Sequence, residues 1–138
     1  MGWNSGDEIH ANGGDDTIYG LDGSDYIDAG AGNDQAMGMQ CSAAYQETIL
    51  GGSGNDTLYG YRTYQGGNLC PRVIQGDAGL DILHGAPGPD WIYGGTDRDE
   101  LYGYDGYDRC YGGTGGAPPE DDWCEASPSC NERPECER

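Results

Sequence analysis

Asp7, Asp16, Asp25 and Asp34 stand nine residues apart, and Ile9, Ile18, Ile27 and Ala36 follow them by two. After a break, Glu47 and Asp56 resume the spacing with Ile49 and Leu58. After a second break come Arg72, Asp81, Asp90, Asp99 and Asp108, with Ile74, Leu83, Ile92, Leu101 and Cys110. Glycines crowd the residues ahead of the aspartates, most fully in Gly51-Gly52-Ser53-Gly54-Asn55-Asp56-Thr57-Leu58-Tyr59. Carboxylates at a fixed interval could work in pairs as acid and base, or could ligate a hard cation. The glycines favour the second chemistry. They reach positive φ readily, so backbone carbonyls can converge beside the carboxylates. Carbonyls plus carboxylates make the shell of about six to eight hard oxygens that Ca²⁺ takes.

The element that positions these acids must repeat every nine residues. Around each aliphatic residue a short strand is expected, with the acid and glycines in the turn before it. One aliphatic side chain per strand is no core in isolation, so the strands must stack on one another to gain both backbone pairing and burial.

Beside Gly51 to Tyr59, looser copies run from Gly20 to Asp28, Ala29 to Met37, Gly94 to Tyr102 and Gly103 to Tyr111. Together they resemble the GGxGxDxUx nonapeptide of the RTX (haemolysin-type) calcium-binding proteins, over residues 2–111. The resemblance implies an all-β parallel β-roll, a β-solenoid of about eleven repeats with two nonapeptides per coil. In such a roll the first six residues of a repeat form a turn and the last three a strand. Ca²⁺ lies between neighbouring turns of one edge. Turns alternate between edges, so Asp16, Asp34, Asp56, Asp81 and Asp99 form an unbroken acidic ladder. The other edge carries Asp7, Asp25, Glu47, Arg72, Asp90 and Asp108. Arg72 cannot ligate a cation and Glu47 lacks the surrounding glycines, so this odd ladder is expected to bind near Asp7/Asp25 and Asp90/Asp108, with Asp25/Glu47 doubtful. About six or seven ions are expected in all, enough to offset most of the −19 net charge.

The breaks, near 38–46 and 60–71, both enlarge odd turns one coil apart. One holds Cys41 and the other Cys70. Strands of adjacent coils lie about 4.8 Å apart, within reach of a disulfide, so a Cys41–Cys70 bond is expected where calcium is lost. Cys110 takes the last inward position. Beyond it, 112–119 reads as a Gly/Pro linker and 120–138 as an acidic tail, with Cys110–Cys124 and Cys130–Cys136 as the candidate staples among three possible pairings.

Composition limits the function. With 35% apolar residues, 27 glycines and no Phe, a conventional two-layer core is out of reach. Low hydrophobicity with high net charge predicts disorder unless a cation intervenes. Excess acid also repels nucleic acid and anionic membrane, and no apolar run approaches a membrane span. Six cysteines in a small acidic chain point to an oxidising, extracellular setting, reached through a leader removed from this sequence or part of a precursor. Neither HExxH nor GxSxG occurs. His10 and His84 fall at the outward ninth position, so no enzyme is expected. Tyr19, Met37, Tyr59, His84 and Tyr102 should stack on one outer face, and Trp91, Tyr93 and Tyr111 on the other. Three roles fit: an extracellular structural or adhesive unit, the calcium-triggered module of a secreted enzyme or toxin, or a glycan- or ligand-binding module using the aromatic face. The register begins at Gly2 with no cap ahead of it, so self-association end to end into a filament, or contact with a matrix or surface partner, is the expected outcome of the first.

Overall fold

The computed structural model describes residues 6–41, 46–60 and 70–114 and the backbone of 123–124. Its strands, in chain order, are β1 (Glu8–His10), β2 (Thr17–Asp22), β3 (Tyr26–Ala31), β4 (Gln35–Gln40), β5 (Glu47–Ser53) and β6 (Thr57–Tyr59). They continue as β7 (Arg72–Ala78), β8 (Ile82–His84), β9 (Asp90–Thr96), β10 (Glu100–Tyr102), β11 (Arg109–Thr114) and β12 (Trp123–Cys124). Odd-numbered strands form one six-stranded sheet and even-numbered strands the other, each in sequence order. All pairing is parallel, and each residue meets its equivalent one coil on: Ile27 pairs with Ile49, Ile49 with Ile74 and Ile74 with Ile92. The nine-residue phase is therefore the stacking register of a parallel β-roll, and the described residues contain no helix.

The burial pattern shows why this works. In Thr57-Leu58-Tyr59 only the central side chain is buried, and the same holds in β8 and β10. Ile27, Ile49, Ile74 and Ile92 stack from one sheet, facing Leu58, Leu83 and Leu101 from the other, and all seven are fully buried. Cys110 ends the isoleucine column, while Ile9 packs against its other end with partial burial. One side chain per strand makes the core narrow, so each coil depends on its neighbours.

Three features depart from the expected three-residue strands and detached tail. In β5, β7 and β9 the strand runs on into the next turn, because Gly52, Asp77 and Gly95 still pair across coils. β8 and β10 stop at three residues; after β8, Pro87 and Pro89 also lack N–H groups for a ladder. At the C-terminal end β11 reaches Thr114, three residues into the segment read as linker, pairing with β9 throughout. The tail then returns as β12, whose Cys124 pairs with Leu101 and so takes the next core register of the even sheet. Asp122-Trp123-Cys124 repeats Asp108-Arg109-Cys110, and that echo is the signal for a further strand. Cys130 and Cys136 lie outside the described residues.

On the even face Tyr59, His84 and Tyr102 stack with ring centroids 4.7 Å apart, and Tyr104 joins them. Their faces are turned on one another, which makes the column a ladder that ties coils together. It is shorter than the expected stripe, since Met37 is buried and Tyr19 largely exposed. His84 is enclosed in this stack rather than open, with Nδ1 2.7 Å from the Tyr104 hydroxyl, and burial lowers its pKa. On the odd face Tyr93 stacks on Tyr111 at 5.1 Å, and the Arg109 guanidinium sits 4.9 Å from the Trp91 ring.

Leu58 sits between Ala36 and Leu83 in the even column. Ala36 cannot swell to fill its place, so Leu58→Ala should cost roughly 2–5 kcal/mol. The outward Thr57→Ala should stay within about 0.5 kcal/mol. Chemical denaturation of both variants in saturating calcium checks the inside-outside assignment.

Candidate metal centre

The acid of each repeat stands where turn meets strand; from Asp25 onward it points inward, whereas Asp7 is exposed and Asp16 half-buried. Asp25, Asp34, Asp56, Asp81, Asp90, Asp99 and Asp108 are each at most 2% exposed, an unusual place for so many carboxylates. Each reaches across to the neighbouring coil. Asp34 Oδ1 accepts the Asp16 N–H at 2.8 Å, Asp56 that of Asp34 at 2.8 Å, Asp81 that of Asp56 at 2.8 Å, and Asp99 that of Asp81 at 3.0 Å. This is one continuous ladder on the even edge. The odd edge carries two separate steps: Asp7 N–H to Asp25 Oδ1 at 2.8 Å and Asp90 N–H to Asp108 Oδ1 at 2.9 Å.

In several of these acids the second oxygen is also turned into the roll. Oδ2 of Asp16, Asp25, Asp34, Asp56 and Asp81 is buried without a hydrogen-bond donor among the described residues. Beside that of Asp25, Asp56 and Asp81 lies the first glycine of the repeat, Gly20, Gly51 or Gly76; ahead of Asp16 and Asp34 that position is held by Ala11 and Ala29. A Cβ on Gly51 would collide with Asp56 Oδ2 and lie 2.8 Å from the Gly76 carbonyl oxygen of the next coil. At Gly85 it would lie 2.8 Å from Asp90 Oδ2 and 3.0 Å from the Gly103 carbonyl oxygen. At these turns carboxylate and carbonyl oxygens of adjacent coils thus converge beside a glycine. The turn achieves this with φ of 104° at Gly52 and 128° at Gly54, a region that side chains rarely enter.

Desolvation sets the electrostatics. In the metal-free chain burial raises the pKa of Asp25 and of Asp56, and backbone N–H bonds only partly offset it. Burial pushes Asp81 up to about 7 against the N–H bond from Asp56. It also pushes Asp90 up to about 7 against the N–H bond from Ala86 and the charge of Arg72. Buried carboxylate oxygens lacking donors are costly, and a hard divalent cation removes that cost. The donor set is all oxygen, acid plus carbonyl, which fits Ca²⁺. A bound Ca²⁺ would supply the positive charge that lets acids of successive coils ionise side by side.

Glu47 and Arg72 break the odd ladder, as read from the sequence, but they do more than interrupt it. Both are fully buried, and Arg72 Nε donates to Glu47 Oε2 at 2.9 Å. Beside them Cys41 and Cys70 form a disulfide with Cα atoms 6.1 Å apart. The buried ion pair was not foreseen; its signal is opposite charges at one repeat position in successive odd repeats. Cys110 is also disulfide-bonded, and the side chain of Cys124, its expected partner, lies outside the described residues. His10 lies at the surface between Glu8 and Asp28, whose hydrogen bonds raise its pKa.

A family model, the RTX calcium-binding nonapeptide repeat, matches in four copies at residues 4–36, 44–62, 73–90 and 84–116. No curated protein and no solved structure matches the chain.

The raised acids determine the response to pH. Asp81 and Asp90 hold protons more tightly folded, at about 7, than at their ordinary value of 3.8. The calcium-free roll is therefore most stable in acid and loses that stability as pH rises through about 7. Calcium binding responds oppositely, because protons compete for the same oxygens. Circular dichroism in chelator should show β signal growing from pH 8 to 5, while calcium affinity falls by roughly tenfold or more. A β signal independent of pH in chelator would refute the assignment.

Proposed function

This chain belongs to the RTX calcium-binding nonapeptide repeat family, and from that premise we propose that it serves outside the cell as a structural β-roll whose order is switched on by calcium. Its ligands on this reading are Asp16, Asp34, Asp56, Asp81 and Asp99 on one edge, and Asp7, Asp25, Asp90 and Asp108 on the other. The observation that carries it is the row of buried Oδ2 atoms without donors among the described residues, those of Asp25, Asp56 and Asp81 each beside an inter-coil carbonyl. Extracellular calcium modules bind at about 10⁻⁴–10⁻³ M, so such a chain stays unfolded in a cytosol and folds once exported. The Cys41–Cys70 disulfide supports the same setting.

The family's β-roll is a structural calcium-binding module rather than a catalytic fold. We therefore favour a structural or adhesive role over an enzymatic one. The aromatic ladder favours it too, since rings stacked on each other leave few faces free for a sugar. Among the described residues β1 and β2 pair on one side only, and such edges can take up another chain. A head-to-tail contact of this kind gives filaments. At the other end we propose that Cys124, in register with Leu101, bonds Cys110 and closes the core, leaving Cys130 and Cys136 to pair with each other.

Calcium titration of the reduced chain, followed by circular dichroism, tests the central claim. A cooperative gain of β signal near millimolar calcium is expected. Asp56→Ala, which removes a group shared by two steps of the even ladder, should raise the midpoint several-fold. Unchanged β content after exhaustive chelation would sink the reading. Light scattering in millimolar calcium tests the filament: growth with concentration is expected, and a persistent monomer would exclude it.

A further inference from the structure

We propose that Arg72 is a resident cation that does for the middle of the odd edge what calcium does elsewhere, and that the Cys41–Cys70 disulfide locks it in place. The coils around β5 and β7 would then stay folded without calcium. This does not require that the other turns bind calcium.

The case begins with position. Arg72 pairs in register with Glu47 on one side and Asp90 on the other, so it holds the place of the repeat's acid. Its side chain lies in the same inner niche. A Cβ on Gly60 would come within 2.6 Å of Arg72 Cδ and 3.1 Å of Nε, as a Cβ on Gly51 would strike Asp56. Gly38 stands in the same relation to the Glu47 carboxylate.

Next come the contacts. Nε binds Glu47 Oε2 at 2.9 Å, Nη1 the Cys70 carbonyl oxygen at 3.2 Å, and Nη2 the Met39 carbonyl oxygen at 3.5 Å. Nη2 also lies 3.0 Å from Cys41 Sγ. Carboxylate and carbonyl oxygens from different coils therefore converge on the guanidinium, the same donor classes that converge at the calcium-type turns. Exchanging aspartate for arginine changes the local charge by +2, the charge of one calcium ion. A guanidinium stays charged even when buried.

The disulfide completes the arrangement. Cys41 and Cys70 are both buried, and each supplies a contact to the guanidinium, one through sulfur and one through its carbonyl. Their bond joins the two enlarged odd turns across one coil, a sequence separation of 29. In the unfolded chain that link removes loop entropy, so the clamp is pre-assembled when oxidised and loosened when reduced. Cys41, Glu47 and Cys70 also cluster closely enough to suggest a metal site. With the sulfurs bonded to each other and Arg72 against them, the cation there is the guanidinium.

Hydrogen–deuterium exchange of the full chain in chelator tests this with disulfides intact. Segments 46–60 and 70–78 should exchange at least about tenfold more slowly than 7–34 and 81–108. Reduction should remove that difference. Equal exchange across the oxidised roll, or protection that survives reduction, would overturn the proposal. Arg72→Met keeps the stem and removes the cation; it should lose the protection in chelator, and retention would overturn the proposal as well. Arg72→Asp restores the acid of the repeat and should bind at least one more calcium ion per chain by equilibrium dialysis. No gain in a folded Arg72→Asp chain would show that the guanidinium is not in an ion's place. Failure of the wild type to gain structure with calcium would instead refute calcium-dependent folding, leaving the exchange comparison intact.

Discussion

Acids of successive coils stand one strand spacing apart, about 4.8 Å, and each has an oxygen turned into the protein. Like charges at that distance in a low-dielectric surrounding repel by several kcal/mol. The chain's −19 net charge makes this a property of the whole molecule rather than of one site. Everything else in the fold either creates that stack of carboxylates or relieves it. The parallel register creates it, because pairing each residue with its own equivalent places acid on acid. Each backbone N–H given to the next coil's Oδ1 relieves part of it, while burial, with the neighbouring acids adding to it, holds the pKa of Asp81 and Asp90 at about 7.

The hydrophobic core cannot carry the roll by itself. A single isoleucine or leucine per strand is buried, and each is covered only when coils lie above and below. Against this stands the entropy of ordering the many glycines of the turns. Some of these glycines are also fixed by close approach, since a Cβ at Gly51, Gly76 or Gly94 would strike the carboxylate of Asp56, Asp81 or Asp99 and a carbonyl of the next coil. Flexibility of the unfolded chain and geometry of the cation site are thus one trait. A ligand that binds only the folded state adds its binding energy to folding.

Much of this was legible because a period of nine is simple. Once Asp25 and Ile27 are seen to recur at Asp34 and Ala36, and again at Asp56 and Leu58, sheets, core column and edges follow from parity. The Cys41–Cys70 bond followed from two insertions falling on the same edge. What escaped notice lies where a residue leaves its type but keeps its position. Arg72 reads as a lost ligand, and only its contacts reveal a cation turned toward Glu47. The strand at Trp123–Cys124 escaped because cysteine stands where an aliphatic residue was sought, after a connection longer than the repeat. The extension of β5, β7 and β9 depends on backbone pairing within turns, which no side-chain pattern marks.

The two edges differ in kind, and the difference bears on how the roll folds. On the even edge every step from Asp16 to Asp99 shares an acid with the next, so an ion bound at one step helps order its neighbour's ligands. On the odd edge the chain of shared acids stops at Asp25 and starts again at Asp90. Between them stands a buried ion pair whose charges belong to the polypeptide. The insertions that enlarge turns fall only on that edge, leaving the even ladder undisturbed while the odd edge accommodates a disulfide. A solenoid gains cooperativity from nearest-neighbour contacts. Here the even edge is continuous, whereas the odd edge is interrupted in its middle by the Glu47–Arg72 pair.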